Sequence, residues 1–369
     1  MDHLPYLPFP PTWPIFTPKD KLADFFDAYA RLLELNVWTS ATVVSASWDA
    51  ARKQWTVNVV RQVQTPGQET QTQRRTLHPR HIIQATGHSG KKNMPNFTGM
   101  NTFKGDLICH SSEFPGAKPN VRGKGKKAIV VGSCNSGHDI AQDYYENGYE
   151  VTMVQRSSTY VVTSNTIRNG LKPLFSEEAP PLDDADLTLW SLPSEVFKSQ
   201  QIMGTKAQAE ADAPLLQGLE RAGFRVDLGP SGAGLLLKYL QRGGGYYIDV
   251  GASSLIADGK IAVKHGQEIA EILPHGIRFA DGSTLEADEI VFATGYQNMR
   301  TQARLIFGDA VADRIGDIWG FDQEGEVRTI WRRNPGLPGF WFMGGNLMLA
   351  RYFSRMLALQ IKAIEVGIA

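Results

Sequence analysis

The residue types and spacing that could do chemistry are concentrated in IVVGSCNSGHDIA, Ile129 to Ala141. Gly132 suits the positive φ of a tight turn after a short apolar strand, and Gly137 lets a following helix pack closely on that strand. The amides at the start of the helix, near Ser136 to Asp139, would then face a dinucleotide pyrophosphate. Ser133, Cys134 and Asn135 lie within the turn, and Cys134 takes the place where backbone comes nearest the phosphates. The alternative is a purely structural strand-turn-helix. Downstream, Gln155-Arg156-Ser157-Ser158 stands where NAD-binding folds carry an acid for the ribose 2′-hydroxyl. Arg156 with Ser157 suits a 2′-phosphate, which favours NADPH; otherwise Arg156 is a solvated loop arginine.

Other chemistries find no support. The chain shows no Ser-His-Asp arrangement, no paired acid-base carboxylates and no His/Cys spacing for a metal. Its two cysteines, Cys109 and Cys134, are too far apart for a C-x-x-C redox pair, and so few suit a reducing compartment, here the cytoplasm. The 369 residues carry 38 basic and 38 acidic side chains, so no global field attracts nucleic acid. No apolar run is long enough for a membrane span, and the proline-rich start has neither the basic nor the apolar part of a signal peptide.

These residues need elements to position them. Lys124, Lys126 and Lys127 introduce the strand, the helix runs to about Asn147, and Gly148 ends it before a second strand, Glu150 to Val154. Earlier, Lys19 to Leu35 has the apolar spacing of an amphipathic helix, read as a core helix. Strands are expected at Ala41 to Trp48 and Gln54 to Arg61, then a polar excursion, then HIIQATG ending in Thr86 and Gly87. A second meander, Lys260 to Lys264, Gly276 to Ala280 and Ile290 to Phe292, ends in FATGY with Thr294 and Gly295. Two such passages predict two dinucleotide-binding domains. The second is complete, but the first glycine of the chain is Gly67, so no glycine-rich turn precedes the first Ala-Thr-Gly. The chain is therefore expected to begin inside a domain, with uncovered apolar faces around Ile82, Ile83 and Trp341 to Met343, and to be poorly soluble or oligomeric.

The chain resembles the class B flavin-containing monooxygenases, above all fungal members and the related plant auxin-forming enzymes. The resemblance is carried by Leu4 to Ala30, the first Ala-Thr-Gly, Phe103 to Phe114 (FKGDLICHSSEF), Val131 to Gly137, FATGY and Trp341 to Gln360. It implies an α/β protein with two Rossmann-like, three-layer domains, the first incomplete at its N-terminus. An FAD-type domain would take residues 1–120 and 291–369, and an NADPH-binding domain 121–290, with a helical substrate-side insertion over 163–240. It also implies FAD and NADPH as cofactors, and insertion of one oxygen atom from O2 into a small organic substrate through a C4a-hydroperoxyflavin.

By the same resemblance, Gly344 and Asn346 lie before a helix whose N-terminus approaches the flavin; the alternative is a plain turn. Phe103, Gly105, His110 and Phe114 correspond to a domain-linker motif, although four residues separate Gly105 from His110 where the family has three. Phe114 replaces the tryptophan of Baeyer-Villiger relatives, which favours heteroatom oxygenation. His110 either couples the domains or is an exposed loop histidine. Arg242 to Ser254 (RGGGYYIDVGASS) is either a wall of the substrate channel or a hinge before a strand. The competing functional reading is an NADPH-binding pseudoenzyme or remnant without flavin chemistry.

Overall fold

The structure is a computed structural model that describes residues 3–64, 67–120 and 125–368; Lys124, expected ahead of the fingerprint strand, lies outside them. The chain forms two compact units. One runs to Gly90 and adds Asn298–Ile318 and the residues from Arg328 on; the other holds Lys91–Gln297 and Trp319–Val327.

The first unit opens with the proline-rich segment and helix α1 (Lys19–Leu32), with Asp20 in its first turn and Arg31 in its last, as the helix dipole favours. No residue of α1 is buried, which corrects its reading as a core helix. Its apolar face meets the aromatic residues of the preceding segment, with Phe25 edge-on to Phe9 and Trp13 at 4.8 and 5.7 Å. An antiparallel meander follows: β1 (Ala41–Asp49), β2 (Gln54–Val63) and β3 (Gln71–Leu77). Strand β3 occupies the stretch expected to be a polar excursion. Its sequence, QTQRRTL, carries no buried residue, and part of its cross-strand pairing is polar, Thr76 Oγ1 donating to Asn58 and Thr72 Oγ1 to Gln62. Strand β4 (Ile82–Gln84) then leads into the first Ala-Thr-Gly.

The second unit is built on a parallel sheet. Its strands are β5 (Leu107–His110), β6 (Lys127–Val131) and, after helix α2 (Asn135–Glu146), β7 (Glu150–Gln155). A smaller parallel sheet starts with β8 (Thr159–Thr163). The excursion that follows is helical, with α3 (Ser164–Leu171), α4 (Leu182–Trp190), α5 (Ser194–Ala211) and α6 (Ala213–Arg221). Short β9 (Val226–Asp227), α7 (Gly234–Arg242) and β10 (Tyr246–Asp249) complete it, giving the order β10-β8-β9. After α8 (Ala252–Ala257) come β11 (Ile261–His265), the hairpin strands β12 (Ile269–Leu273), β13 (Gly276–Phe279) and β14 (Thr284–Glu286), and β15 (Glu289–Phe292).

The main sheet has the order β11-β7-β6-β15-β5, with every pairing parallel. The stretch from Lys260 to Lys264 therefore belongs to this sheet and not to a meander; the meander is β12-β13-β14, and β12 escaped the sequence reading. Side chains alternate between two cores as a pleated sheet requires. Ala128, Val130, Val151 and Met153 pack under helices α2 and α8, whereas Ile129, Val154, Ile290 and Phe292 pack against Ile272, Ile277 and Phe279 of the meander. Helices, sheet and meander make three layers.

The chain returns to the first unit through α9 (Met299–Phe307), α10 (Asp309–Ala312), β16 (Phe340–Phe342) and α11 (Leu347–Glu365). Strand β16 pairs in parallel with β4. The expected uncovered apolar face is only partly found: Ile83 is 46% exposed, but Phe340, Trp341 and Phe342 are buried. The rings of Trp55 and Phe307 cover Phe340 at 5.8 and 5.2 Å, and the Trp341 indole donates to His81 Nδ1 at 3.0 Å.

Candidate functional site

In an open α/β sheet ligands bind at the carboxyl ends of the strands where the chain switches direction across the sheet. Here β6 is flanked by β7 and β15, and both Gly-rich segments lie at that edge. Gly132 has φ 124 and donates its N–H to Val154 O at 3.0 Å. A Cβ on Gly132 would lie 2.3 Å from Ala293 O, and one on Gly137 would lie 2.2 Å from Gly132 O. Strand end, turn and helix start are thus stacked backbone on backbone, with no room for side chains. Cys134 is the N-cap of α2 and its side chain makes no cap bond, so it offers the first-turn amides no side-chain acceptor.

The side chains within the fingerprint are engaged by the scaffold. Ser133 is buried and its hydroxyl bonds Thr159 Oγ1 at 2.7 Å. Asn135 Oδ1 accepts from Ile248 N at 2.9 Å, which ties α2 to β10. His138 is fully buried, stacked on Tyr247 with ring centroids 3.7 Å apart, and its Nδ1–H donates to Cys134 O at 3.1 Å. Burial pushes its pKa down to about 4, and Nε2 has no partner among the described residues. Burial also holds the Cys134 thiol above its usual range, so it is the protonated form that lies in the turn. Tyr247 serves as a packing ring against His138, and Gly243, with φ 73, closes α7 ahead of β10.

At the end of β7, Arg156 and Ser157 are exposed, whereas Gln155 is fully buried and acts as a hub. Its amide donates to Arg225 O and accepts from Arg225 N, both at 2.8 Å, and also accepts from His265 Nδ1 at 3.1 Å. Arg225 is thereby pinned at the same sheet edge as Arg156. Sequence reasoning missed it, since it comes from the far side of the helical excursion. Asp227, also from there, accepts from the ammonium of Lys238 at 2.7 and 2.8 Å and interacts with Ser158.

The linker residues fall on the opposite flank of the sheet. His110 ends β5 and is fully buried, so the reading as an exposed loop histidine is wrong. Its Nε2 donates to Gly295 O at 2.9 Å while Nδ1 accepts from Ser112 N at 3.1 Å, which fixes the tautomer. The Phe103 ring covers Gly105, where a Cβ would lie 2.4 Å from the ring and 2.3 Å from Asp288 O. Phe114 packs on Tyr144 at 5.1 Å. Thr294 Oγ1 donates to Asn93 O at 2.6 Å.

The remaining predicted residues are in the first unit. Thr86 and Gly87 follow β4, and Gly344 and Asn346 follow its parallel partner β16, so all four share one strand-end edge. Asn346 caps α11, its Oδ1 accepting from Leu349 N at 3.0 Å, and Gly344 O accepts from the Trp331 indole at 2.9 Å. Gln84, at the end of β4, is buried and donates to Thr86 Oγ1 and Met299 O, but its Oε1 has no partner among the described residues.

The fold and this arrangement define an α/β protein of the dinucleotide-binding type. Residues 23–184 match the family described as pyridine nucleotide-disulphide oxidoreductase. Among curated proteins, indole-3-pyruvate monooxygenase YUCCA1 of Oryza sativa subsp. japonica is 30% identical over 295 residues, covering 80% of this chain and 63% of that protein. Probable indole-3-pyruvate monooxygenase YUCCA10 of Arabidopsis thaliana is 30% identical over 297 residues, covering 80% and 67%. The chain therefore spans less than two thirds of the rice relative. Of solved structures, a flavin-containing monooxygenase from Stenotrophomonas maltophilia superposes with TM-score 0.57 at 16% identity, over 98% of this chain and 82% of that one. OTEMO in complex with FAD and NADP gives 0.57 at 15%, over 95% and 73%. At these identities the structural likeness is one of fold. The chain belongs to the class B flavin-containing monooxygenase family. No helix among the described residues is long and apolar enough to cross a membrane.

Proposed function

We propose that this chain is the nucleotide-handling part of an NADPH- and FAD-dependent monooxygenase that inserts one oxygen atom from O2 into a small organic substrate in the cytoplasm. In this reading the second unit is the NADPH domain and the first the flavin domain. The observation that carries it is the backbone cradle of Gly132, Gly137 and Ala293, which a Cβ would fill. Gly132 to Gly137 would hold the pyrophosphate on the α2 amides, and Arg156 with Ser157 would take the 2′-phosphate. Thr294 and Gly295 shape the turn that closes the cradle, held by His110.

The first unit fits part of a flavin. Gln84 Oε1 is a buried acceptor with no donor among the described residues, near Thr86, Gly87 and the strand end that leads through Gly344 and Asn346 into α11. When bound, the flavin would pass electrons from NADPH to O2. What these residues do is bind and orient, and keep water from the reacting edge.

The cradle of Gly132, Gly137 and Ala293 by itself supports nucleotide binding, which leaves a second reading, an NADPH-binding protein without flavin chemistry. Purifying the chain, adding FAD and recording the visible spectrum together with NADP+ binding separates the two. Bound flavin with NADPH-dependent O2 consumption supports the monooxygenase; NADP+ binding with no flavin supports the second reading. Binding of neither overturns both.

A further inference from the structure

A carboxylate or a cation at the end of the second strand decides whether a dinucleotide site takes a 2′-hydroxyl or a 2′-phosphate. Sequence places only Arg156 there. The structure adds a second, more firmly anchored cation. Arg225 is fixed through its main chain: its N–H and C=O both bond the buried Gln155 amide at 2.8 Å, and its C=O also accepts from Thr159 N at 3.1 Å. Its charge acts on His265, the residue that ends β11 opposite Gln155. Arg225 therefore stands across the carboxyl ends of β7 and β11. Arg156 and Arg225 are both exposed, and among the described residues neither pairs with a carboxylate. This contrasts with Lys238, which is buried and neutralised by Asp227. With no carboxylate partner among the described residues, Arg156 and Arg225 leave two positive charges on residues of one strand edge, which favours an anion there.

We propose that Arg225 is a specificity-determining residue of the dinucleotide site, binding the 2′-phosphate together with Arg156. The inference rests on the reading of the Gly132 to Gly137 turn as a dinucleotide site. The planar forks of two arginines suit a dianionic phosphate, which offers three acceptor oxygens. The scaffold that carries Arg225 is main chain and Gln155, so removing its side chain leaves the anchors in place.

The test is binding of NADP+, NAD+, adenosine 2′,5′-bisphosphate and adenosine 5′-monophosphate to the purified full chain and its R225A, R156A and R225K variants, by calorimetry. Arg225→Ala is expected to weaken NADP+ and the bisphosphate by about tenfold or more. NAD+ and the monophosphate should change by less than about twofold, because they lack the group read by Arg225. Arg225→Lys is expected to recover part of the loss. An unchanged NADP+ affinity in R225A, or an equal loss for NAD+, overturns the inference while leaving the dinucleotide reading standing. Failure of the unmodified chain to bind either dinucleotide refutes that reading, and the inference with it.

Discussion

His110 Nε2 lies 2.9 Å from Gly295 O, and the ring that makes this bond is fully buried at the end of β5. One edge of the imidazole holds the turn after β15, while the other accepts from Ser112 N. Because Ala293 in that same turn presses on Gly132, the linker histidine supports the cradle through one short stretch of backbone. His110→Ala would strip both partners and leave a cavity, at a cost of about 2–4 kcal/mol. His110→Gln keeps a donor and should cost less. Urea unfolding of the three proteins measures this, and NADP+ affinity should fall in the same order; equal stability of all three would show that the bond carries no weight.

Two glycines should respond with opposite sign. Gly137→Ala drives a Cβ to 2.2 Å from Gly132 O, backbone against backbone, and no side chain can yield. We expect destabilisation of about 1–3 kcal/mol and a loss of NADP+ binding of tenfold or more, roughly. Gly204 is an exposed position of helix α5 and has nothing within 4 Å of its Cβ position. Gly204→Ala should therefore stabilise by about 0.5–1 kcal/mol with binding unchanged. Thermal melts and calorimetry on both variants check the pair.

The fingerprint strand, its turn and helix, and the strand that follows them were legible because glycine spacing and short apolar runs follow directly from close backbone packing. Strand β3 was not, because QTQRRTL faces solvent and carries none of the alternation that marks a half-buried strand. Strand β11 was read into the meander because IAVKH and the hairpin strands are similar short segments, and only tertiary pairing with β7 tells them apart. His110 illustrates a different limit: a single histidine has no period, so its burial follows from the neighbours that fold over it. Arg225 was illegible for the same reason, being brought to Arg156 by side-chain bonds between Gln155 and distant backbone.

His138 sets an acid limit on stability. Burial keeps its folded pKa near about 4, against roughly 6.5 in the unfolded chain. Between those values the unfolded state binds more protons, so stability rises with pH through the window and is fully present above about pH 6.5. Acidification toward pH 4 should remove up to about 3 kcal/mol. His138→Phe keeps a ring against Tyr247 and cannot be protonated. Its unfolding free energy should be flatter between pH 4.5 and 6.5, roughly, than that of the unmodified chain; parallel profiles would place the sensitivity elsewhere.

The Lys238–Asp227 pair links stability to the nucleotide edge. Lys238 is 6% exposed, its ammonium contacts both oxygens of Asp227, and the carboxylate also accepts from Gly229 N at 2.8 Å. Burial works to raise the Asp227 pKa, but the Lys238 and Gly229 bonds outweigh it and hold the group below its ordinary value. The pair therefore contributes its stability above about pH 4 and loses it as the pH falls through the lower folded pKa. Lys238→Met leaves a half-buried carboxylate with no counter-charge and should cost about 3 kcal/mol, whereas adding Asp227→Leu should restore most of that loss. The same single variant exposes a negative charge beside Ser158, next to the turn that carries Arg156. NADP+ should then weaken relative to NAD+, and the double variant should recover the ratio, because it removes the carboxylate along with its partner. Denaturation and paired titrations of the two variants measure both effects. A single variant that loses stability but keeps its NADP+ to NAD+ ratio would confine the pair to a structural role.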